Sequence, residues 1–495
     1  VNRTRLTAFV GVGVLAAPLL AGEIPSRPEQ IQFGPLEFEP PNAAEMRHEL
    51  PGAIPVYLAE THEFPLVTIT LSFKGGSSLE PADKAGLASM TGAMIQQGGT
   101  ATLTPSELEE QLDFLAARVR VDVGDQYSSA SINCLTSNLD EAFALFMQMV
   151  REPGFDPDRT EVVRGQRLER LKQRDDQGFG IAMRELGFLM WGEDSFEGRQ
   201  PTGDSLNSIT REDMQTLHHR IFHPDNMIVS VSGDFEQSEM LAFLQNAFDG
   251  WERGEPVPDP TPPTHVLKPG LYHYEKDQPQ SQVIFAQRCI ERDDPDAIPV
   301  EVMNDILGGS GFTSRIMNRV RTKEGLAYSA GSFVSPRVGY PGAFSAFFMS
   351  KNATAALGAK VTLEEIDRIR TEEVTTDELD TAISSIIETF PRRFESKERT
   401  LRTFVDDEWT GRDPSYWSTY RDHVREVTPD EVLRVAREHL DPEKMGVLIV
   451  GPWDEIAPGN TDSEDDPERV TTIEDVFPSV TQIPVRDPVT LKPKE

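Results

Sequence analysis

"ITREDMQTLHHRIFHPDNMIVSVSGDF" (209–235) and "VTPDEVLRVAREHLDPEKMGVLIVGPW" (427–453) align without a gap, at a constant offset of 218 residues. Thr210 matches Thr428, Pro224 matches Pro442, Met227 matches Met445 and Gly233 matches Gly451. Each copy opens on a Thr N-cap followed by acidic residues, which satisfy and neutralise the exposed N–H groups of a helix start. Each then breaks at Pro and enters a run of alternating apolar residues, the period of a half-buried strand. The same succession of events in both places predicts one domain written twice.

The flanking sequence supports the duplication. In the first half, "LVTITLSFK" (66–74) reads as a strand, 83–97 and 105–116 as helices, and "RVRVDV" (118–123) with "YSSASINC" (127–134) as a hairpin. Helices follow near 138–151, 156–173 and 181–191. The second half opens with a strand, "SQVIFAQRC" (281–289), then helices near 298–308 and 314–323. A strand pair at 326–335 and 342–349 precedes helices at 353–371 and 376–390. Hairpin-linked strands with helices in runs give an α+β fold, two homologous domains of antiparallel sheet packed against helices. "GEPVPDPTPPTHVLKPG" (254–270) holds six prolines and reads as a stiff linker. The expected organisation is a signal peptide (1–22), an N-terminal arm (23–52), a first domain (53–250), the linker (251–270), a second domain (271–455) and an acidic tail (456–495). Within the tail, "TTIEDVFPSVTQIPV" is expected to hold an extended segment lying on a neighbour.

Composition narrows the function. A formal charge of −34 provides no basic excess for phosphate binding and excludes nucleic acid as a partner. Arg3 and Arg5, an apolar run from Leu6 to Leu20 and the small residues Ala21 and Gly22 have the layout of a secretory signal. The run falls short of the about 20 apolar residues of a spanning helix. An exported, periplasmic or extracellular protein is expected, with no membrane association after signal cleavage; an uncleaved membrane anchor is the competing reading. Cys134 and Cys289, the two cysteines, lie in separate halves and are expected to be buried free thiols.

Three local motifs complete the picture: "FKGGSSLEPADKAGLASM", "GGTATLTPSELEEQLDFLAARV" (98–119) and "LGGSGFTSRIMNRVRTKEGLAYS" (307–329). With the doubled layout they resemble the pitrilysin/insulinase family, in particular its short bacterial members and the mitochondrial processing peptidases. The resemblance spans roughly residues 45 to 453 and implies the family's duplicated α/β roll. Active members carry zinc on an inverted H-x-x-E-H motif, two His ligands one turn apart with a Glu general base between them. Here Ser89 and Ala93 stand at the His positions and Gly92 at the Glu position. None is a usable ligand or base, since zinc selects imidazole, thiolate or carboxylate. Asp83 is expected to cap this helix. Glu169, in "GQRLERLKQ", is either a leftover of the family's third ligand or a solvated surface residue. His219 and His223 have ligand spacing on a helix but no acidic residue between them, and a surface reading is preferred.

The third motif places Arg321 and Tyr328 on the family's Arg/Tyr pair, which binds peptide and stabilises the oxyanion. Their alternative is structural: Arg321 pairs with Glu324 at i+3, and Tyr328 is a half-buried strand residue. In the family the labour can be divided between two chains, one bearing zinc and the other the Arg/Tyr pair. The resemblance therefore implies a non-catalytic, zinc-less subunit of an exported heterodimeric metallopeptidase. Such a chain binds no cofactor itself, is inactive alone, and pairs with a homologous zinc-bearing subunit and an unfolded peptide. The alternative is a stand-alone or homodimeric peptide-binding scaffold without proteolysis.

Overall fold

In β3 (Leu66–Lys74), Val67, Ile69, Leu71 and Phe73 are fully buried while Thr68, Thr70 and Ser72 take the opposite face. Its counterpart β8 (Gln280–Arg288) carries an unbroken apolar run, Val283 to Ala286, and buries both faces. These two patterns, period two against continuous, decide how each sheet is covered. The protein is described by a computed structural model for residues 37–460 and 470–494. The expectations for the signal segment and for residues 23–36 of the N-terminal arm lie outside the described residues.

The first sheet contains β1 (Arg47–Leu50), β2 (Ile54–Glu60), β3, β4 (Arg118–Val123), β5 (Tyr127–Leu135) and β6 (Met227–Gly233), in the order β1-β2-β6-β3-β5-β4. The second contains β7 (Gly270–Glu275), β8, β9 (Ala327–Ser335), β10 (Ala343–Lys351), β11 (Gly446–Gly451) and β12 (Val480–Ile483), in the order β12-β7-β11-β8-β10-β9. The orders superimpose position by position, so the duplication extends to topology. Most neighbours are antiparallel, but β2 with β6 and β7 with β11 are parallel. A strand reached through a long run of helices can return in the same direction, which a hairpin cannot do. The outermost strands differ: β1 is antiparallel to β2, whereas β12 is parallel to β7.

Six helices position the site: α1 (Leu87–Gln97), α2 (Pro157–Gln173), α3 (Gly178–Trp191), α4 (Arg211–Ile221), α5 (Lys397–Thr410) and α6 (Pro429–His439). Helices α4 and α6 are the repeated pair, each opened by a Thr capping box, Thr210 with Asp213 and Thr428 with Glu431. One face of the first sheet buries Val67, Ile69 and Phe73 with Met90 and Met94 of α1. The other faces are covered reciprocally. Helix α3, from the first half, packs Ile181, Leu186, Met190 and Trp191 on Tyr274, Ile284 and Leu448 of the second sheet. Helix α5, from the second half, lies on the first sheet, where Glu408 accepts from Tyr57 Oη at 2.6 Å and Glu398 from Ser232 Oγ at 3.1 Å. Each half thus lends the other a helix.

The tail fastens the same junction. The neighbour of its extended segment is β7, beside which β12 aligns from Val480↔Leu271 to Ile483↔Tyr274. Ile483 and Val485 then join the second core, and Val489 joins the first, where Gly203 N donates to Val489 O at 2.8 Å. Cys134 is buried and Cys289 half-buried, both unpaired, with burial pushing each thiol up to about 11. Among the described residues no helix is long and apolar enough to cross a membrane.

Candidate functional site

Helix α1 begins at Leu87, after Gly86 in the left-handed conformation (φ 98°). Its cap is not Asp83, which sits in a separate short turn, Ala82–Lys84. The carboxylate of Glu80 instead accepts from Gly86 N at 3.1 Å and Ala88 N at 2.6 Å. Burial pushes the Glu80 carboxyl pKa up, against the pull of these two N–H groups. Proximity in sequence favoured Asp83, but the left-handed turn at Gly86 brings the more distant acid to the helix end.

The motif positions hold no ligand set. Ser89 Oγ donates back to Gly86 O at 3.0 Å, and Ala93 and Gly92 offer no donor atom. Gly92 is packed against β4, and a Cβ there would meet Val123 Cγ2 at 2.8 Å. Restoring a Glu at this position therefore requires the Val123 side chain to give way. Glu169 is exposed and paired with Lys172 at 2.9 Å. From α2, Arg167 reaches the motif itself, and its Nη2 donates to Ser89 O at 2.6 Å. Its buried Nε has no partner among the described residues, and burial pushes its pKa down. A guanidinium against the motif helix opposes a cation there, because like charges repel strongly where water is excluded. The residues present do not fit zinc. Sequence reasoning missed Arg167, since one Arg in a helix rich in Arg and Lys carries no distinguishing signal.

The other histidines add no centre. His223 is buried with both ring nitrogens unpartnered, His219 is exposed, and neither belongs to a metal-competent group among the described residues. Two such groups lie elsewhere, Glu60–His62–Glu236 and Asp294–Asp296–His439. In the second, Asp296 is already held by Arg434 at 2.7 and 2.9 Å.

The Arg/Tyr pair is in a different state. Arg321 lies in the helical turn Asn318–Lys323, Gly325 (φ 66°) reverses the chain, and Tyr328 opens edge strand β9. The guanidinium carbon sits 4.8 Å from the Tyr328 ring centroid and 4.6 Å from that of Phe312. Tyr328 is 79% exposed and Phe312 69% exposed. Among the described residues neither the Arg321 guanidinium nor the Tyr328 hydroxyl has a hydrogen-bond partner. Glu324 does not take Arg321; it pairs with Arg319 at 2.9 Å. Neither contact expected of a purely structural pair is formed: Arg321 does not meet Glu324, and Tyr328 is exposed rather than half-buried. Cation–π contact engages the face of a guanidinium and does not use its N–H donors, so contact with two rings is compatible with hydrogen bonding to a ligand. Phe312 was not singled out from the sequence, although an aromatic after the Gly-rich "LGGSG" was its signal.

A duplicated α+β roll with exchanged helices and an Arg/Tyr pair defines a two-lobed peptidase fold. Comparison with known families agrees: "Insulinase (Peptidase family M16)" matches residues 56–182 and "Peptidase M16 inactive domain" matches residues 208–386. The chain belongs to the insulinase family, peptidase family M16. It is 25% identical over 402 residues to the non-peptidase homolog YmxG of Helicobacter pylori, covering 80% of this chain and 91% of that one. The peptidase M16 inactive domain from Pseudomonas fluorescens is similar in structure, with TM-score 0.73, 24% identity and coverage of 82% and 97%. The periplasmic protease PqqL from Escherichia coli matches with TM-score 0.69 and 15% identity, over 88% of this chain and 49% of its own. At these identities the two structures bear on fold alone.

Proposed function

We propose that this chain is the zinc-less subunit of a heterodimeric metallopeptidase and lends Arg321 and Tyr328 to a partner's active site. The observation that carries this reading is the contrast between the two sites. The motif helix carries none of the motif's ligands and its Gly92 face is packed against Val123, while Tyr328 is exposed beside a half-buried Arg321 and neither polar group has a hydrogen-bond partner among the described residues. Donors held in place before reaction and aimed at a developing oxyanion are the most effective form of electrostatic stabilisation. Arg321 grips the peptide carbonyl, Tyr328 donates to the oxygen as it gains charge, and the nucleophile comes from the partner. The secretory-signal layout of the N-terminal residues supports an exported complex, and the name of the non-peptidase relative supports a chain that does not cleave by itself.

The test is co-purification of the native complex followed by metal analysis of each separated chain. The expected result is zinc on the partner and none here. Stoichiometric zinc on this chain, or its elution alone at micromolar concentration beside a zinc-bearing homologue, overturns the proposal. The triple change Ser89→His, Gly92→Glu and Ala93→His is expected to bind no zinc, because Val123 and Arg167 occupy the surroundings of the motif.

A further inference from the structure

The helices Pro105–Phe114 and Leu139–Arg151 of the first half lie against each other and are tied at both ends. Asn138 Nδ2 donates to Leu115 O at 2.9 Å at one end, and Thr102 Oγ1 to Gln148 Oε1 at 3.2 Å at the other. Between them runs a groove of about 630 Å³. Leu115 and Leu145, both buried, form its floor, and Phe114 forms a wall. At 86% exposed, Phe114 is the most exposed large apolar side chain among the described residues. Apolar surface left open inside a polar rim marks an interaction site.

The rim is acidic, with Glu107, Glu110 and Glu141. Glu107 and Glu141 stand in first helical turns, where a carboxylate complements the helix dipole. Glu110 has no such reason, nor do Glu109 and Asp113 on the same helix. Asp113 lies four residues after Glu109 and three after Glu110, and like charges at those spacings destabilise a helix. This helix contains no Lys or Arg to offset them, and none of the three rim acids forms an ion pair among the described residues. Elsewhere the chain interleaves its charges: Arg434 pairs with Glu438 and Arg368 with Glu372, each one turn apart. The groove thus combines an open apolar floor with negative charge that nothing in the chain relieves.

We propose that this groove docks a basic amphipathic helix of another protein. A large apolar side chain of that helix seats against Phe114 and Leu145, and its Lys or Arg residues lie beside Glu110 and Glu141. Charge decides among the occupants. A second copy brings the same formal charge of −34, and an anionic lipid surface is negative too, so both are repelled. The proposal does not rest on the Arg321–Tyr328 reading.

Two fluorescein-labelled helical peptides of about 15 residues test it. They share one Leu/Phe face and carry either Lys or Glu on the other. Each is titrated into the full chain and followed by anisotropy. The Lys peptide should bind about a hundredfold tighter than the Glu peptide and weaken as salt rises. Phe114→Ser should weaken it about tenfold or more, while Phe114→Leu keeps most of the affinity. Glu110→Gln combined with Glu141→Gln should weaken it as well and flatten its salt dependence. All these variants should melt no lower than wild type, since Phe114 is exposed and the acids repel one another. A lower midpoint for Phe114→Ser would make it a packed residue and overturn the groove. So would Lys-peptide binding that either change leaves intact, because charge alone or apolar contact alone then holds the peptide. Absence of binding at ~1 mM, or a self-association that Phe114→Ser dissolves, likewise overturns the proposal.

Discussion

The two exchanged helices perform the same architectural task with opposite chemistry. Helix α3 seals the second sheet with Ile181, Leu186, Met190 and Trp191, so that face is a second hydrophobic core. Helix α5 meets a hydroxyl-lined face, and Tyr57 and Ser232 reach its Glu408 and Glu398 by hydrogen bonds. One junction gains from removing apolar area from water, and the other replaces water by polar contacts of small net value. Duplication fixes where a helix lies; the side chains decide whether that contact is a core or a wet chamber wall.

This contrast makes graded predictions for stability. Ile181, 1% exposed, should be the most sensitive position: Ile181→Ala is expected to cost ~2–5 kcal/mol. A shift of the urea midpoint at constant slope would register it, and a loss under ~1 kcal/mol would mean that α3 is not a core element. Next comes Glu197, which closes the end of the apolar junction. It accepts from Arg337 Nε at 2.7 Å, Arg337 Nη2 at 3.0 Å and Tyr340 Oη at 2.5 Å, beside Trp191. Glu197→Gln should cost ~1–3 kcal/mol by weakening these charge-assisted bonds. Burial pushes the Glu197 pKa up, but the bonds from Arg337 and Tyr340 outweigh it and leave the pKa below the usual carboxylate range. A depressed folded-state pKa contributes stability that is present above the unfolded value and lost as pH falls through the folded one. Wild type and Glu197→Gln should therefore begin to converge as pH falls below the unfolded carboxyl value, about 4.3, and meet once the folded carboxyl is protonated; a difference that does not shrink on acidification would contradict the assignment.

The wet junction should respond least. Thr70→Ala on the hydroxyl face is expected to change stability by under ~1 kcal/mol, and a larger loss would show that the face is packed. Asp406 lines the recess between α5 and that face, where partial desolvation by the surrounding protein pushes its carboxyl up to about 6 although the side chain stays open to solvent. A raised carboxylate pKa opposes folding once the group ionises, so stability declines as pH rises from the unfolded value through about 6. Asp406→Asn should melt slightly higher than wild type above pH 6 and equally at pH 4. Identical melting at both pH values would remove Asp406 from the account.

The sequence made the duplication plain, and with it β3, β8 and the paired helices α4 and α6, because their apolar periods are undiluted. Helix α5 was not read, because "KERTLRTFVDDEWT" needs only Leu401, Phe404 and Val405 to bury and keeps charge toward the recess. Strands β2 and β7 escaped for a related reason: "IPVYLAE" opens near a Pro, and "GLYHYE" buries a His with hydrogen bonds to Gln482 and Gly451. The lost zinc ligands were legible residue by residue, since absence of a donor atom needs no geometry. Arg167, Phe312 and the Glu80 cap were not, because each works through a contact between segments that the linear pattern does not connect. The Arg/Tyr pair was visible through resemblance, and the structure adds the exposure of Tyr328 and the contacts of Arg321 with the Tyr328 and Phe312 rings.

The central claim is that Arg321 and Tyr328 act on chemistry performed by another chain. It is tested most directly by steady-state kinetics on the reconstituted complex with Tyr328→Phe, a change that removes one hydroxyl from a side chain 79% exposed. The account predicts a fall in kcat of about 100- to 1,000-fold, the usual loss for one oxyanion donor, with assembly and the partner's zinc unchanged. Arg321→Ala should add a rise in KM to its fall in kcat. Full turnover with both variants would contradict the claim and leave a peptide-binding scaffold in its place.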